Sequence, residues 1–371
     1  MLRTISEDVP VPIPLDKTER MAAFTEQLRH SGYNLASCAG RLGVFPRLGV
    51  NFWREMRPNW SPDRLNLVDT LVELFIDGCQ VEGDRLSRHF SAAFIEAARE
   101  MQLVEESDGV FRSRVCLFPC YDKYISTDRP EKNTAINQVM WLWGESYILG
   151  GLVKRSPRRR AVDIGTGSGV HAILASGHCQ RVLAADVNPR ALAFAQFNAT
   201  LNGLSNIEFV LSDVFGSVSG TCDLLLANPP YAPDSAAKAG DNFWSGGVAG
   251  TDILRQIVHA IPSRLDPDGA CHLIALYPNA PGTTIKEHFD HWLDGTVSEY
   301  EVLDHTWPVP SYNDLLSEEP FRGDKTAWRF GVVSIRRARC RLGWWKEVAG
   351  KKGFFFGRDG GIQMVADHDA A

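Results

Sequence analysis

Apolar positions change period along the chain. Between residues 20 and 101, outside the stretch 43–62, they recur every three to four residues, the spacing of helices with one buried face. Leu67, Leu71, Leu74 and Phe75 share such a face, and further helices are expected near 83–90 and 91–101. From 103 to 115 the pattern alternates around Asp108-Gly109, a pair that tolerates the left-handed backbone of a tight hairpin. Three helices and a hairpin resemble a winged helix. From 161 onward, short apolar runs alternate with helical patterns. Residues 161–164, 181–185, 207–211, 222–227 and 270–277 read as parallel strands, and 301–303 and 328–335 as two final antiparallel strands. Strands that alternate with helices predict an α/β fold with a Rossmann-like, seven-stranded sheet.

The remaining stretches are less regular. Residues 1–18 form a proline-punctuated arm. Residues 43–62 read as a loop whose aromatics Phe52, Trp53 and Trp60 pack between domains. Trp141, Trp143, Tyr147, Ile148 and Leu149 predict a helix against the sheet edge, and Arg155, Arg158, Arg159 and Arg160 a solvated linker. The Gly- and Ser-rich stretch 232–251, with Phe243 and Trp244, is a candidate lid. The loop between the last two strands, with Trp307, Tyr312 and Phe321, is placed to shape an acceptor pocket. Three units are expected: a mostly helical, winged-helix-like part (1–118) that covers substrate or dimerises, an α/β domain (119–336), and a basic, aromatic tail (337–371) packed as an arm.

Composition narrows the classes. In 371 residues, 44% are hydrophobic and 23% charged, and formal net charge is −6, so no global basic field draws the chain to nucleic acid. The expected recognition helix carries Glu96 and Glu100 against one Arg99, a poor phosphate reader. Eight cysteines lack a zinc-finger spacing and read as reduced thiols of a cytoplasmic protein. No apolar run approaches the roughly 20 residues of a membrane span. His288 and His291 lack a third ligand, so no metal is expected.

The chemistry gathers at strand ends. Gly165, Thr166, Gly167, Ser168 and Gly169 follow the first strand and open a helix, a turn that lets backbone approach a ligand. Val170 stands where a dinucleotide fingerprint wants its third glycine, which disfavours a nicotinamide enzyme. Asp186 ends the second strand, placed to accept ribose hydroxyls, and Asp213 follows the third, placed to accept an adenine amine beside Val214 or Phe215. Asn228-Pro229-Pro230-Tyr231 leaves the fourth strand. The Asn228 side-chain carbonyl and the Pro229 backbone carbonyl are paired acceptors for a planar –NH2 group, and Tyr231 can stack on it.

Together these motifs resemble class I S-adenosylmethionine-dependent methyltransferases. Asn-Pro-Pro-Tyr resembles the N-methyltransferase branch, which includes release-factor glutamine N5, rRNA guanine-N2 and adenine-N6 enzymes. The resemblance covers about residues 125–336. It implies S-adenosyl-L-methionine as cofactor, held by Asp163, Gly165, Thr166, Gly167, Gly169, Asp186, Val187, Ser212, Asp213, Val214 and Asn228. Asp163 would meet the methionine amine. Asn228, Pro229 and Tyr231 would be catalytic, orienting the acceptor nitrogen. The N-terminal part departs from the small helical domain of glutamine methyltransferases. With the acidic balance, this makes a small metabolite the expected acceptor; protein glutamine, an RNA base, or a non-catalytic cofactor-binding regulator are the alternatives. A homodimer is left open.

Overall fold

The computed structural model describes residues 11–42, 66–129, 137–231, 234, 245–248, 250–278, 285–293, 295, 299–309 and 328–337, with strand backbone at 354–356 and 362–364. The expected contacts of Phe52, Trp53, Trp60, Phe243, Trp244, Tyr312 and Phe321 lie outside these residues.

The N-terminal part opens with α1 (Thr18–His30) and α2 (Leu35–Leu42). Helix α3 (Leu67–Leu71) follows, continued by a π-helical turn (Val72–Asp77). Asn66 starts α3 by accepting from the Val68 and Asp69 amides, and Asp69 returns the bond as a capping box. The chain then runs through β1 (Val81–Glu82), α4 (Gly83–His89), α5 (Ala92–Glu100), β2 (Val104–Ser107) and β3 (Val110–Ser113). The three strands pair in the order β1-β3-β2. Asp108 (φ 54°) and Gly109 (φ 77°) form the left-handed turn between β2 and β3.

A second hairpin, β4 (Cys116–Cys120) and β5 (Lys123–Thr127), crosses the boundary expected at 118/119. Then come α6 (Gly144–Leu152), β6 (Arg158–Ile164), α7 (Val170–Ser176), β7 (Cys179–Asp186), α8 (Pro189–Leu201), β8 (Ile207–Leu211), β9 (Cys222–Ala227), α9 (Asp252–Arg264), β10 (Leu265–Pro278), α10 (Ile285–Trp292), β11 (Tyr300–Val309) and β12 (Trp328–Arg337). In the tail, β13 (Phe354–Phe356) pairs with β14 (Ile362–Met364). The large sheet has the order β11-β12-β10-β9-β6-β7-β8, with β12 antiparallel to both neighbours. The chain steps outward from β6 to β8 and returns to pair β9 on the other side of β6. That reversal is a topological switch point, where α/β sheets open a crevice at their carboxyl ends.

Three local expectations are corrected. Trp141 and Trp143 precede α6 instead of lying in it. Arg158, Arg159 and Arg160 form the start of β6, because Asp223 accepts the Arg159 and Arg160 amides (both 2.9 Å) and Asp266 accepts Arg159 Nη2 (2.9 Å). Trp307 belongs to β11, opposite Phe330, and not to the loop.

One hydrophobic core runs from α1 through the other N-terminal helices and strands and the β4–β5 hairpin to Phe194, Phe197 and Leu201 of α8. The seam is also polar. Asn202 pairs with both backbone groups of Tyr124 (3.0 and 2.7 Å), and Asn198 with both of Ser126 (2.8 Å each). Two asparagines one helical turn apart thus act as a neighbouring strand for the edge of β5. Asn198 Nδ2 also donates to the Ser168 carbonyl (2.8 Å), which ties the hairpin to the Gly-rich turn. On the opposite face, α9 and α10 close a second core over β9 and β10.

Candidate active site

Ile164 and Ala227 are register partners, so the Gly-rich turn and the Asn228 tetrad leave the sheet side by side. They border a cavity of about 350 Å³. Its wall includes the predicted Gly165, Thr166, Gly167, Asp186, Val187, Ser212, Asp213, Val214, Asn228 and Pro229.

Each acid sits differently. Asp186 accepts the Gly167 amide on Oδ2 and the Asn188 amide on Oδ1, both at 2.8 Å. Burial raises its pKa, and the backbone donors oppose that shift. Each carboxylate oxygen keeps a lone pair for a ribose hydroxyl. Asp213 is exposed at the rim. Beside it Val214 holds φ 46°, a costly backbone for a β-branched residue, and Ser212 bonds its carbonyl (3.0 Å). Asp163 does not line the cavity. It is fully buried beneath the turn, where Oδ2 accepts Thr166 Oγ1 (2.6 Å) and the Ala172 amide (3.0 Å). Its Oδ1 has no partner among the described residues, and burial pushes the carboxyl up to about 7.

The turn has room on the cavity side. A Cβ built on Gly165 or Gly167 would meet nothing within 4 Å, whereas one on Gly169 would strike Ala195. Asn228 is half-exposed to the cavity. Tyr231 is buried away from it, edge-on to Phe330 at 5.5 Å between ring centres. The geometry therefore brings Asn228 and Pro229 to the cavity and packs Tyr231 into the core.

Sequence patterns missed part of the wall. Gln138, Val139, Met140, Trp141 and Leu142 cover the cavity, as does His171 of α7. Burial drives the His171 pKa down to about 4, so its imidazole is neutral near pH 7. Nothing periodic marks 137–142, because the segment has neither helix nor strand.

Residues 144–303 match the family model of the methyltransferase small domain. This segment is a class I methyltransferase domain. The chain resembles a release factor glutamine methyltransferase of Deinococcus radiodurans, 34% identical over 140 residues, covering 35% of this chain and 50% of the relative. A ribosomal protein uL3 glutamine methyltransferase of Bradyrhizobium diazoefficiens is 35% identical over 163 residues, covering 39% and 49%. A ribosomal RNA small subunit methyltransferase C of Alcanivorax borkumensis is 25% identical over 158 residues, covering 43% and 42%. The chain thus spans half or less of the length of each of these relatives. S-adenosylmethionine is the cofactor of the class I methyltransferase domain, and the open side of Gly165 and Gly167 with Asp186 in the wall beside them fits it. Among the described residues no His, Cys, Asp and Glu cluster could hold a metal, and no helix is long and apolar enough to cross a membrane.

Proposed function

We propose that this protein is an S-adenosylmethionine-dependent N-methyltransferase that acts on the side-chain amide of glutamine in a protein. The observation that carries the reading is the placement of Asn228 and Pro229 at the switch point, lining the same cavity as the Gly-rich turn. S-adenosylmethionine supplies an electrophilic methyl group. The chain's part is to aim a nucleophile. The Asn228 and Pro229 carbonyls accept the two N–H bonds of a primary amide. They oppose delocalisation of the nitrogen lone pair and stabilise the positive charge that grows on nitrogen. Positioning supplies much of the acceleration, and the surplus proton leaves to solvent afterwards.

Two observations favour a protein acceptor, the first over the small metabolite expected from the acidic composition and the second over RNA. Relatives similar to this chain carry glutamine or rRNA methylation in their names, and none of the three reported above names a metabolite. The N-terminal part also presents a groove bordered by Glu82, Asp84, Glu96, Glu106 and Asp108, with no basic residue in its lining. Such a surface repels phosphates, which disfavours RNA at this module.

The test is transfer from methyl-labelled cofactor to a host extract, separated into protein, RNA and small molecules, with Asn228→Ala in parallel. Label in protein that yields N5-methylglutamine and vanishes with the variant is the expected result. Label in RNA or in small molecules refutes the assignment.

A further inference from the structure

We propose that Asp128, Arg190 and Asn188 are positioning residues that clamp segment 137–142 as a fixed wall over the cofactor. The proposal rests on the reading of the cavity as the S-adenosylmethionine site. Five consecutive residues of this segment line the cavity, yet it has no helical or strand ladder to hold it. Segments of that kind open at low free energy unless side chains tie them down.

The ties are specific. Asp128 Oδ2 accepts the Val139 amide at 2.8 Å. Asn188 Nδ2 donates to the Asn137 carbonyl at 2.9 Å, and Gln138 Nε2 to the Arg129 carbonyl at 2.6 Å. Asp128 is held in turn by Arg190 of α8, through Nε to Oδ2 at 3.0 Å and a second contact from Nη2 to Oδ1. Both charges are buried, Arg190 to 2% exposure and Asp128 to 5%, and the guanidinium stacks over Phe194 at 5.1 Å. A buried ion pair is weak evidence for stability, because desolvation offsets most of its attraction. Here it fixes a geometry: one carboxylate oxygen is shared between the guanidinium and the wall. Asn188 adds a direct link, since its own amide binds Asp186 Oδ1. The acid assigned to the ribose and the wall above it are joined through one residue, whose backbone N–H holds the acid and whose side chain holds the wall.

A clamp predicts slow cofactor escape, and a merely structural pair does not. The experiment is stopped-flow binding of S-adenosylmethionine to the full chain, wild type against two variants. Asn188→Ser keeps a cap acceptor for α8 and removes the donor to Asn137. Asp128→Leu/Arg190→Met removes both charges together, so no charge is left unpaired. The expected result in both is a dissociation rate about tenfold higher, the loss of one or two hydrogen bonds, with the association rate little changed. Hydrogen exchange at the Val139 amide should also quicken in the cofactor-free double variant. Unchanged dissociation in both variants, or failure of both to fold, overturns the clamp. Absence of binding by the wild-type chain overturns the cofactor reading itself, and the clamp with it.

Discussion

Two glycines two positions apart should fail in opposite ways. Gly169 sits at φ 82° at the start of α7, and a Cβ there would lie 2.8 Å from Ala195 Cβ and 3.0 Å from Ala195 Cα. Left-handed backbone costs an alanine about 1–2 kcal/mol. Pushing α8 away adds about 1–3 kcal/mol of overpacking. Gly169→Ala should therefore cost about 2–5 kcal/mol, a large part of the roughly 5–15 kcal/mol of a typical domain. Gly167 sits at φ 54° with nothing within 4 Å of its Cβ position, so only the backbone cost applies. Its methyl group would instead occupy the cavity. Gly167→Ala should fold with a loss of about 1–2 kcal/mol. It should bind cofactor at least about tenfold more weakly, since a displacement costing only ~1.4 kcal/mol is a factor of ten. Urea denaturation measures the first quantity and titration calorimetry with S-adenosylmethionine the second. Equal urea midpoints for Gly169→Ala and wild type, or wild-type affinity in Gly167→Ala, would refute the packing argument.

Other outcomes follow from the same geometry. Asn228→Ala should leave cofactor affinity near wild type and lower methyl transfer by about 10²-fold or more, read by single-turnover kinetics; equal turnover removes its catalytic role. Asp186→Ala frees the Gly167 and Asn188 amides as well as the ribose, so calorimetry should show cofactor binding weakened by about 2–3 kcal/mol. Burial holds Asp163 and Glu145 protonated up to about 7, above their values in the unfolded chain. Their contribution to stability is present at low pH and lost as pH rises through about 7. Measured as the difference between wild type and Asp163→Asn/Glu145→Gln, in which the histidine titrations cancel, urea midpoints should therefore fall between pH ~4.5 and ~7.5. A difference that rises with pH across that window would contradict the assignment. Glu82→Lys/Glu106→Lys should raise KM for a protein acceptor while kcat and cofactor affinity hold, and unchanged KM detaches the groove from acceptor binding.

The sheet was legible because each of its first four parallel strands is a short apolar run followed or ended by a residue unlike the run: Gly165, Asp186, Ser212 or Asn228. Those ends are also the site, so strand pattern and chemistry were read together. What stayed hidden has no local signal. Segment 137–142 is held by partners 51 residues away at Asn188 and 11 away at Asp128, and no periodicity records such bonds. Arg158–Arg160 read as a linker because charge suggests solvent; their amides find Asp223 more than 60 residues on, which makes them strand. Tyr231 illustrates the reverse. Its neighbours in the tetrad reach the cavity, but it meets Phe330 of a strand that only the folded sheet brings near.

The asparagine ladder on α8 has a consequence for how the chain comes apart. Asn198 and Asn202 spend their side-chain amides on the edge of β5, and Phe194, Phe197 and Leu201 spend their area on the same N-terminal core. A recombinant that joined this α/β domain to a foreign N-terminal module would strand amide groups and bare rings on a helix that also carries the clamp residue Arg190. The two halves of this chain are therefore expected to unfold in one cooperative transition, with no stage at which the α/β domain stands alone.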